Sequence, residues 1–430
     1  QRSREDRRGG CLQVLDKLRQ RFHRKKSDSD PLAFEVIYPK EVKAPRPGSN
    51  YRGSSLDFDW VVIATVCILI GIGTVMVYSA SVSLADSPKY GTTSTYFLIR
   101  HIAALVVGAI AAFFVYHVPM RVWEKMAKPI GIISVILLIL VLVPGIGVSV
   151  NGSRRWIRFP VFNLQVSEVT KLAAVIFTSW FTVTRQEYMH SFRKGFIPML
   201  AVMGIVTALL ALQPDLGATV VVLAIIMGIL FLGGISYVIL GVVGSMVITM
   251  GVGMIIATPW RLGRVTAYLD PWNEENVLGK AYQLSHSLIA FGRGEIFGAG
   301  LGASVEKLNY LPEAHTDFIF AVIGEELGFV GVVIVLFLYY RLIRSAFEIG
   351  RIAVKMDNIF SGLVAQGIGI WIGVQVCINV AVATGLMPTK GLTLPLMSYG
   401  GSAIVATLCG IALLLRVDHE NRVQMHGGYV

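Results

Sequence analysis

Charge is the first thing this chain has little of. Only 15% of its 430 residues are Asp, Glu, Lys or Arg, 54% are hydrophobic, and the mean hydropathy is +0.65. Soluble domains carry about 25% charged residues, so an ordinary soluble protein is excluded and an integral membrane protein is expected. Cysteine is also sparse: Cys11 lies in a basic tail, and Cys67, Cys377 and Cys409 lie in apolar runs. With none in the long polar segment, no structural disulfide is expected, and no metal-ligand spacing occurs. No short apolar segment with a small-residue cleavage site stands near the N-terminus, so no removable signal peptide is expected. The glycine-rich run Gly292-Arg-Gly-Glu-Ile-Phe-Gly-Ala-Gly-Leu-Gly302 lacks a Walker lysine and a strand–turn–helix setting, which excludes a nucleotide site. A backbone nest for phosphate or, more commonly, close packing remains open for it.

What the chain does have is apolar runs long enough to span a bilayer, about 17–25 residues each. They fall at roughly 60–80, 98–117, 126–144, 167–184, 196–213, 217–233, 236–256, 316–340, 360–384 and 393–416. The fold class is therefore an all-α integral membrane protein of about ten transmembrane helices. The net charge of +11 is unevenly placed: of 38 Lys and Arg, 14 lie in residues 1–55 and 12 in four later short segments that alternate onto the same side. That asymmetry is the positive-inside pattern, and it puts both termini in the cytoplasm. It also makes nucleic-acid binding the poorer reading of the charge.

Three stretches follow. Residues 1–55 form a basic cytoplasmic tail and linker, in which Leu12, Leu15, Leu18 and Phe22 suggest either a basic amphipathic helix on the membrane surface or a weakly structured charged tail. Residues 56–418 form the membrane domain, and 419–430 a short cytoplasmic end. The longest extracytoplasmic segment, 257–315, joins spans seven and eight. A loop of that length is usually functional or disordered, and its Trp260, Tyr268, Trp272, Tyr282, Phe291 and Phe297 give it something to pack. Residues 280–291 read as an interfacial helix.

Polar groups concentrate where this loop enters the eighth span, in Leu311-Pro-Glu-Ala-His-Thr-Asp-Phe318. Asp317 at a helix mouth can simply favour the positive end of the helix dipole. The less common alternative is a general base, because a carboxylate in a partly dry boundary has a raised pKa. Glu313 and His315 either tune it or face water. Glu325 and Glu326 lie inside the span, where ionisable residues mark a site or an internal pairing. Glu325 is two turns from Asp317 on the same face. Asp215, in Gln213-Pro-Asp-Leu-Gly217, reads best as a helix cap. The segment Asn151-Gly-Ser-Arg-Arg-Trp-Ile-Arg158 places three arginines against the charge bias; diphosphate binding through forked guanidinium contacts or pairing with loop carboxylates explains them. Lys171 and Lys390 repeat the pattern of cations near this boundary.

Two blocks carry a family resemblance. Tyr282-Gln-Leu, Gly292-Arg-Gly-Glu, Leu311-Pro-Glu-Ala-His-Thr-Asp-Phe-Ile-Phe320 and Gly324-Glu-Glu-Leu-Gly328, together with Gly391-Leu-Thr-Leu-Pro-Leu-Met-Ser-Tyr-Gly-Gly-Ser402, resemble the SEDS family (shape, elongation, division and sporulation) over roughly 58–418. The Glu-Ala-His-Thr-Asp and Pro388-Thr-Lys-Gly391 motifs resemble its division-specific members more than its elongation members. The resemblance implies a peptidoglycan glycosyltransferase that polymerises lipid II at the outer face of the bacterial inner membrane, at the division septum. It implies Asp317 as the catalytic residue, with His315, Glu313 and Glu325 in support. Arg155 and Lys390 match basic positions that handle substrate; Lys171 and Arg293 are further candidates for the diphosphate. No cofactor is required by this reading, although a divalent cation could share the diphosphate. The implied partners are a class B penicillin-binding protein (the septal transpeptidase) and other divisome membrane proteins. A lipid II flippase and a non-catalytic scaffold for the transpeptidase are the rival readings.

Overall fold

The computed structural model describes residues 59–86, 93–150, 153–158, 163–188 and 196–426. The basic tail, with its candidate amphipathic helix, lies outside the described residues, as do Asn151 and Gly152. The elements run α1 (Trp60–Ser81), α2 (Tyr96–His117), α3 (Met120–Leu140), β1 (Gly147–Val150), β2 (Ser153–Arg158), β3 (Asn163–Gln165), α4 (Val166–Thr184), α5 (Ile197–Leu212), α6 (Leu216–Leu232) and α7 (Tyr237–Ile256). They continue with α8 (Pro259–Leu269), α9 (Glu274–Val277), α10 (Tyr282–Gly294), α11 (Ile319–Lys355), α12 (Ile359–Ala383) and α13 (Gly401–Met425).

Each of the ten apolar runs contains a helix, so the helical membrane class holds. Among the described residues, α1, α2, α4, α11, α12 and α13 are each long and apolar enough to cross a membrane, whereas α5, α6 and the apolar part of α7 are shorter. Local chemistry sets the starts. The Asp59 carboxylate accepts the Val61 N–H at 2.9 Å to begin α1, and Asp215 accepts the Ala218 N–H at 3.2 Å to begin α6, each satisfying a donor the helix leaves free. Pro198 occupies the first turn of α5, where its missing N–H costs nothing.

Helices α11 and α12 form the centre. Residues Ile319 to Glu326 are all buried, and Trp371, Tyr339, Phe318 and Phe320 are among the largest fully buried side chains. Helix α2 is peripheral: it buries only Phe97, His101 and Gly108 and exposes Val106, Val107, Ile110, Phe113 and Phe114. Such a face is costly in water and suited to lipid, where the helix satisfies its own backbone.

The structure departs from a hydropathy reading in three places. The segment between α3 and α4 is not plain loop but an antiparallel sheet in the order β1-β2-β3. The run at 316–340 becomes a helix reaching Lys355, broken at Gly328, whose φ of 66° and ψ of −167° are not helical. The run at 393–416 is helical only from Gly401. Pro395 disfavours helix at its predecessor, Leu396 adopts a φ of +66°, and the Ser398 hydroxyl accepts the Leu394 N–H at 2.8 Å. Residues Leu394 to Ser398 are buried although not helical, because Tyr339 of α11 donates its hydroxyl proton to the Pro395 carbonyl and Gln375 of α12 donates to the Thr393 carbonyl at 2.8 Å.

The glycine-rich run explains the break in α11. Ala299 and Gly300 donate their N–H groups to the Glu325 and Glu326 carbonyls (2.9 and 3.1 Å), while Phe329 and Val330 donate to Glu295 and Ile296 (3.0 and 3.1 Å). The loop backbone thus replaces helical bonds lost at Gly328. Approach this close needs glycine on both sides: a Cβ on Gly298 would lie 2.2 Å from the Glu326 carbonyl oxygen, and one on Gly328 would lie 2.3 Å from the Gly298 nitrogen. Close packing, not a phosphate nest, accounts for the run.

Candidate active site

The turn before α11 is held by a single carbonyl. Glu313, at a φ of +58°, accepts the N–H groups of Thr316, Asp317 and Phe318 at 3.1, 3.1 and 3.2 Å, and its carboxylate accepts the Thr316 hydroxyl at 2.9 Å. Leu311, Ala314 and Phe318 are buried beneath the turn, which leaves Asp317 half-buried at the threshold of the helix. Its surroundings come from three other parts of the chain. From α12, Asn379 donates to the Asp317 carbonyl at 2.9 Å. From the segment after α12, Gly391 approaches so closely that a Cβ there would be 2.7 Å from Asp317 Oδ2. Charges from β2 and from the start of α6 complete the set.

Arg155 brings β2 over the α5–α6 turn. Its guanidinium donates to the Pro214 carbonyl at 2.6 Å and to that of Gln213 at 3.3 Å, and stands 3.9 Å from Asp215 Oδ2. Asp215 is the cap expected, and it also accepts the Ser167 hydroxyl at 3.2 Å. The field of these groups acts on Asp317. Burial raises its pKa most, Glu313 and Asp215 raise it further, Arg155 opposes them, and the carboxyl is pushed up to about 7. A carboxyl poised there can take a proton near neutrality and still be ionised often enough to act.

The other candidates are placed differently. His315 is buried, with its ring 4.8 Å from that of Phe97 and 5.6 Å from that of Tyr399; its backbone oxygen accepts the Tyr399 N–H at 3.0 Å. Burial lowers its pKa, with Glu313 opposing, so the imidazole stays neutral and packs. Glu325 is not gathered around Asp317. Its carboxylate accepts from Arg293 at 3.0 Å, Ser304 at 2.5 Å and the Val305 N–H at 2.8 Å, and this also commits Arg293, expected on diphosphate, to an ion pair. Glu326 is paired with Lys307 at 2.7 Å and accepts the Ser79 hydroxyl at 2.7 Å. Lys171, expected near the surface, is fully buried: it pairs with Glu168 at 2.7 Å and donates to Gln375 at 2.9 Å. Its position one turn into α4 puts it inside the bundle. Lys390 adjoins Gly391 and is half-buried. Among the described residues no group of three or more His, Cys, Asp or Glu could hold a metal ion.

Residue chemistry alone undervalues Asp215, Asn379 and Gln375. Gln375 and Asn379 stand four apart in an apolar span, on one face, and polar residues at such depth are costly without partners. That spacing is the signal that could have found them.

This arrangement defines a class: a multi-span membrane protein with a carboxyl of raised pKa in the field of an arginine at one end of its bundle. Residues 59–423 match the family described as "Cell cycle protein", which groups FtsW, RodA and SpoVE. The chain belongs to that family. It is 54% identical over 380 residues to a probable peptidoglycan glycosyltransferase FtsW of Burkholderia thailandensis, covering 88% of this chain and 82% of that one. A protein of the same name from Polynucleobacter necessarius is 52% identical, covering 88% and 89%. Among solved structures, a chain from a peptidoglycan synthase complex that coordinates polymerization and crosslinking superimposes with a TM-score of 0.68 at 30% identity, covering 85% of this chain and 99% of that one. The rod-shape-determining protein RodA of Thermus thermophilus gives a TM-score of 0.61 at 29% identity, covering 85% and 98%.

Proposed function

We propose that this protein is a peptidoglycan glycosyltransferase that polymerises lipid II at the outer face of the bacterial inner membrane, at the division septum. Its partners in this reading are a class B penicillin-binding protein and other divisome membrane proteins. The reading rests above all on Asp317, a carboxyl raised to about 7 on a fixed turn beside Arg155. The names of the FtsW relatives and the synthase-complex neighbour support it.

The donor sugar is α-linked to a lipid diphosphate and the product is β-1,4-linked, so the anomeric centre inverts in a single displacement. Asp317 takes the proton of the acceptor 4-hydroxyl as that oxygen bonds to C1, and the C1–oxygen bond to the diphosphate breaks. Arg155 and Lys390 meet the departing negative charge. Arg155 is pre-oriented by its two carbonyl contacts and keeps part of its surface accessible, at 27%. Lys171 and Arg293 instead hold internal carboxylates. A divalent cation would enter with the diphosphate it neutralises; strand synthesis that is unaffected by chelator argues against one.

A positioned base contributes about 10²–10⁴ in rate. Asp317→Asn, purified with its transpeptidase partner and given labelled lipid II, should lose polymerisation by that order while remaining folded and partner-bound. Normal glycan ladders from this variant would defeat the assignment. If the wild type makes no ladders but translocates the headgroup in liposomes, the flippase reading wins; neither activity would leave a scaffold.

A further inference from the structure

The amide of Asn379 bridges two segments of the site. Its NH2 donates to the Asp317 carbonyl at 2.9 Å and to the Leu392 carbonyl at 2.6 Å, joining the turn that carries Asp317 to the segment that carries Lys390 and Gly391. The residue is 2% exposed, and its Oδ1 is buried without a hydrogen-bond partner. Two carbonyls can be served only by the nitrogen end, so the network itself fixes which way the amide points. One turn earlier Gln375 donates to the Thr393 carbonyl at 2.8 Å while its oxygen accepts from Lys171 and Trp371, each at 2.9 Å. The face of α12 therefore splints residues 392 and 393 at two successive carbonyls, and only Asn379 extends the splint to Asp317.

We propose that Asn379 is a positioning residue for the reaction at Asp317: by tying the two backbones together it sets the carboxylate over Gly391, in the geometry from which it accepts a proton. This inference rests on Asp317 being the base. A misplacement of about 1 Å can cost about 10²-fold in rate. The Tyr399 N–H also ties this turn to the later part of the segment, at the His315 carbonyl (3.0 Å), but among the described hydrogen bonds it is Asn379 that holds the Asp317 carbonyl itself to residue 392. The leftover Oδ1 is consistent with a residue kept for its two donors rather than for its own full satisfaction.

The test replaces the donors without opening a large hole. Asn379→Leu, assayed with the partner and labelled lipid II, should lower kcat about 10–100-fold and change KM by less than about 3-fold. The acid side of the pH–rate profile, expected near 7 for the wild type, should move to lower pH, because a loosened carboxyl is better hydrated and less exposed to Glu313 and Asp215, with Arg155 still opposing them. A merely structural role would lower the yield of folded protein and leave that limb in place. If Asn379→Leu does not fold, Asn379→Ser, which retains one donor, should show the same shift in smaller measure. Wild-type kcat in the variant that folds, or a loss proportional to folded protein with the limb unmoved, overturns the proposal. Asp317→Asn is run in parallel: if it polymerises normally the base reading fails, whereas an inactive Asp317→Asn beside a normal Asn379 variant defeats the positioning role alone.

Discussion

Asp317 and Glu313 share one turn, and the electrostatics of that turn dictate how the protein responds to pH. The proposed mechanism needs Asp317 ionised, so the rate of strand synthesis should climb through about pH 7. Neighbours set the sign of each shift. Glu313→Gln removes a raising charge and should move the acid limb down, while Arg155→Gln removes the lowering charge and should move it up, besides weakening diphosphate binding. A pH–rate series on these variants that leaves the limb unmoved would show that it belongs to another group. Stability has the opposite dependence. The folded state holds on Asp317 a proton that the unfolded chain has released above the ordinary value of 3.8, so this group's contribution is full below about 4 and is lost as pH rises through about 7. Asp317→Asn should therefore raise the melting temperature at pH 8 relative to wild type, with little difference at pH 4, while abolishing activity, as expected of a site that trades stability for function. At this scale the sequence leaves two roles open for Asp317, because an Asp at a helix mouth looks the same whether or not Arg155, Asp215 and Gly391 converge on it. Those partners lie about 75–160 residues away in the chain, and no local pattern reports them.

The break in α11 shows why elements are more legible in a sequence than their joints. Ten apolar runs announce ten helices, but a kink needs a second strand of chain to take over the freed backbone groups, and hydropathy carries no record of which strand that is. The glycines of 292–302 could be read as packing or as an anion nest; only the approach of Gly298 to Gly328 decides. The same joint contains a buried ion pair, Lys307 to Glu326 at 2.7 Å, with side chains 7% and 0% exposed. As ionisable residues inside a span, Glu325 and Glu326 fit either a site or an internal tie, and the tie is what the loop requires: each carboxylate anchors different residues of the segment that returns to α11. Removing one member of such a pair leaves an uncompensated buried charge and costs about 3–5 kcal/mol. Glu326→Leu should therefore lower stability in detergent by that order, and the double variant Glu326→Leu/Lys307→Met should recover most of it. Additive losses in the double variant would show that the two residues do not act as a pair. Gly298→Ala should be destabilising for a separate reason, since a Cβ at φ +85° both strains the backbone and strikes the Glu326 carbonyl.

Across the whole molecule, the arrangement that brings β2, the α5–α6 turn, the 309–318 turn and the 390–400 segment together places every group of the candidate site at one end of the helix bundle. The Arg341, Arg344 and Arg351 stretch lies along the far part of α11, and Arg416 and Arg422 lie late in α13. Under the positive-inside bias those cations would mark the cytoplasmic end, and the proposed function requires the end carrying Asp317 to lie on the other side of the membrane, where a lipid-linked sugar acceptor would have to meet it. This orientation can be tested independently of any enzymatic assay. In a background with the cysteines replaced, Leu278→Cys, at a position 82% exposed in the long loop, should react with a membrane-impermeant maleimide in intact spheroplasts. Lys355→Cys, at the end of α11, should react only after the membrane is opened. The reverse pattern would put Asp317 in the cytoplasm, out of reach of the growing glycan strand, and no carboxyl poised near neutrality could then rescue the proposed reaction.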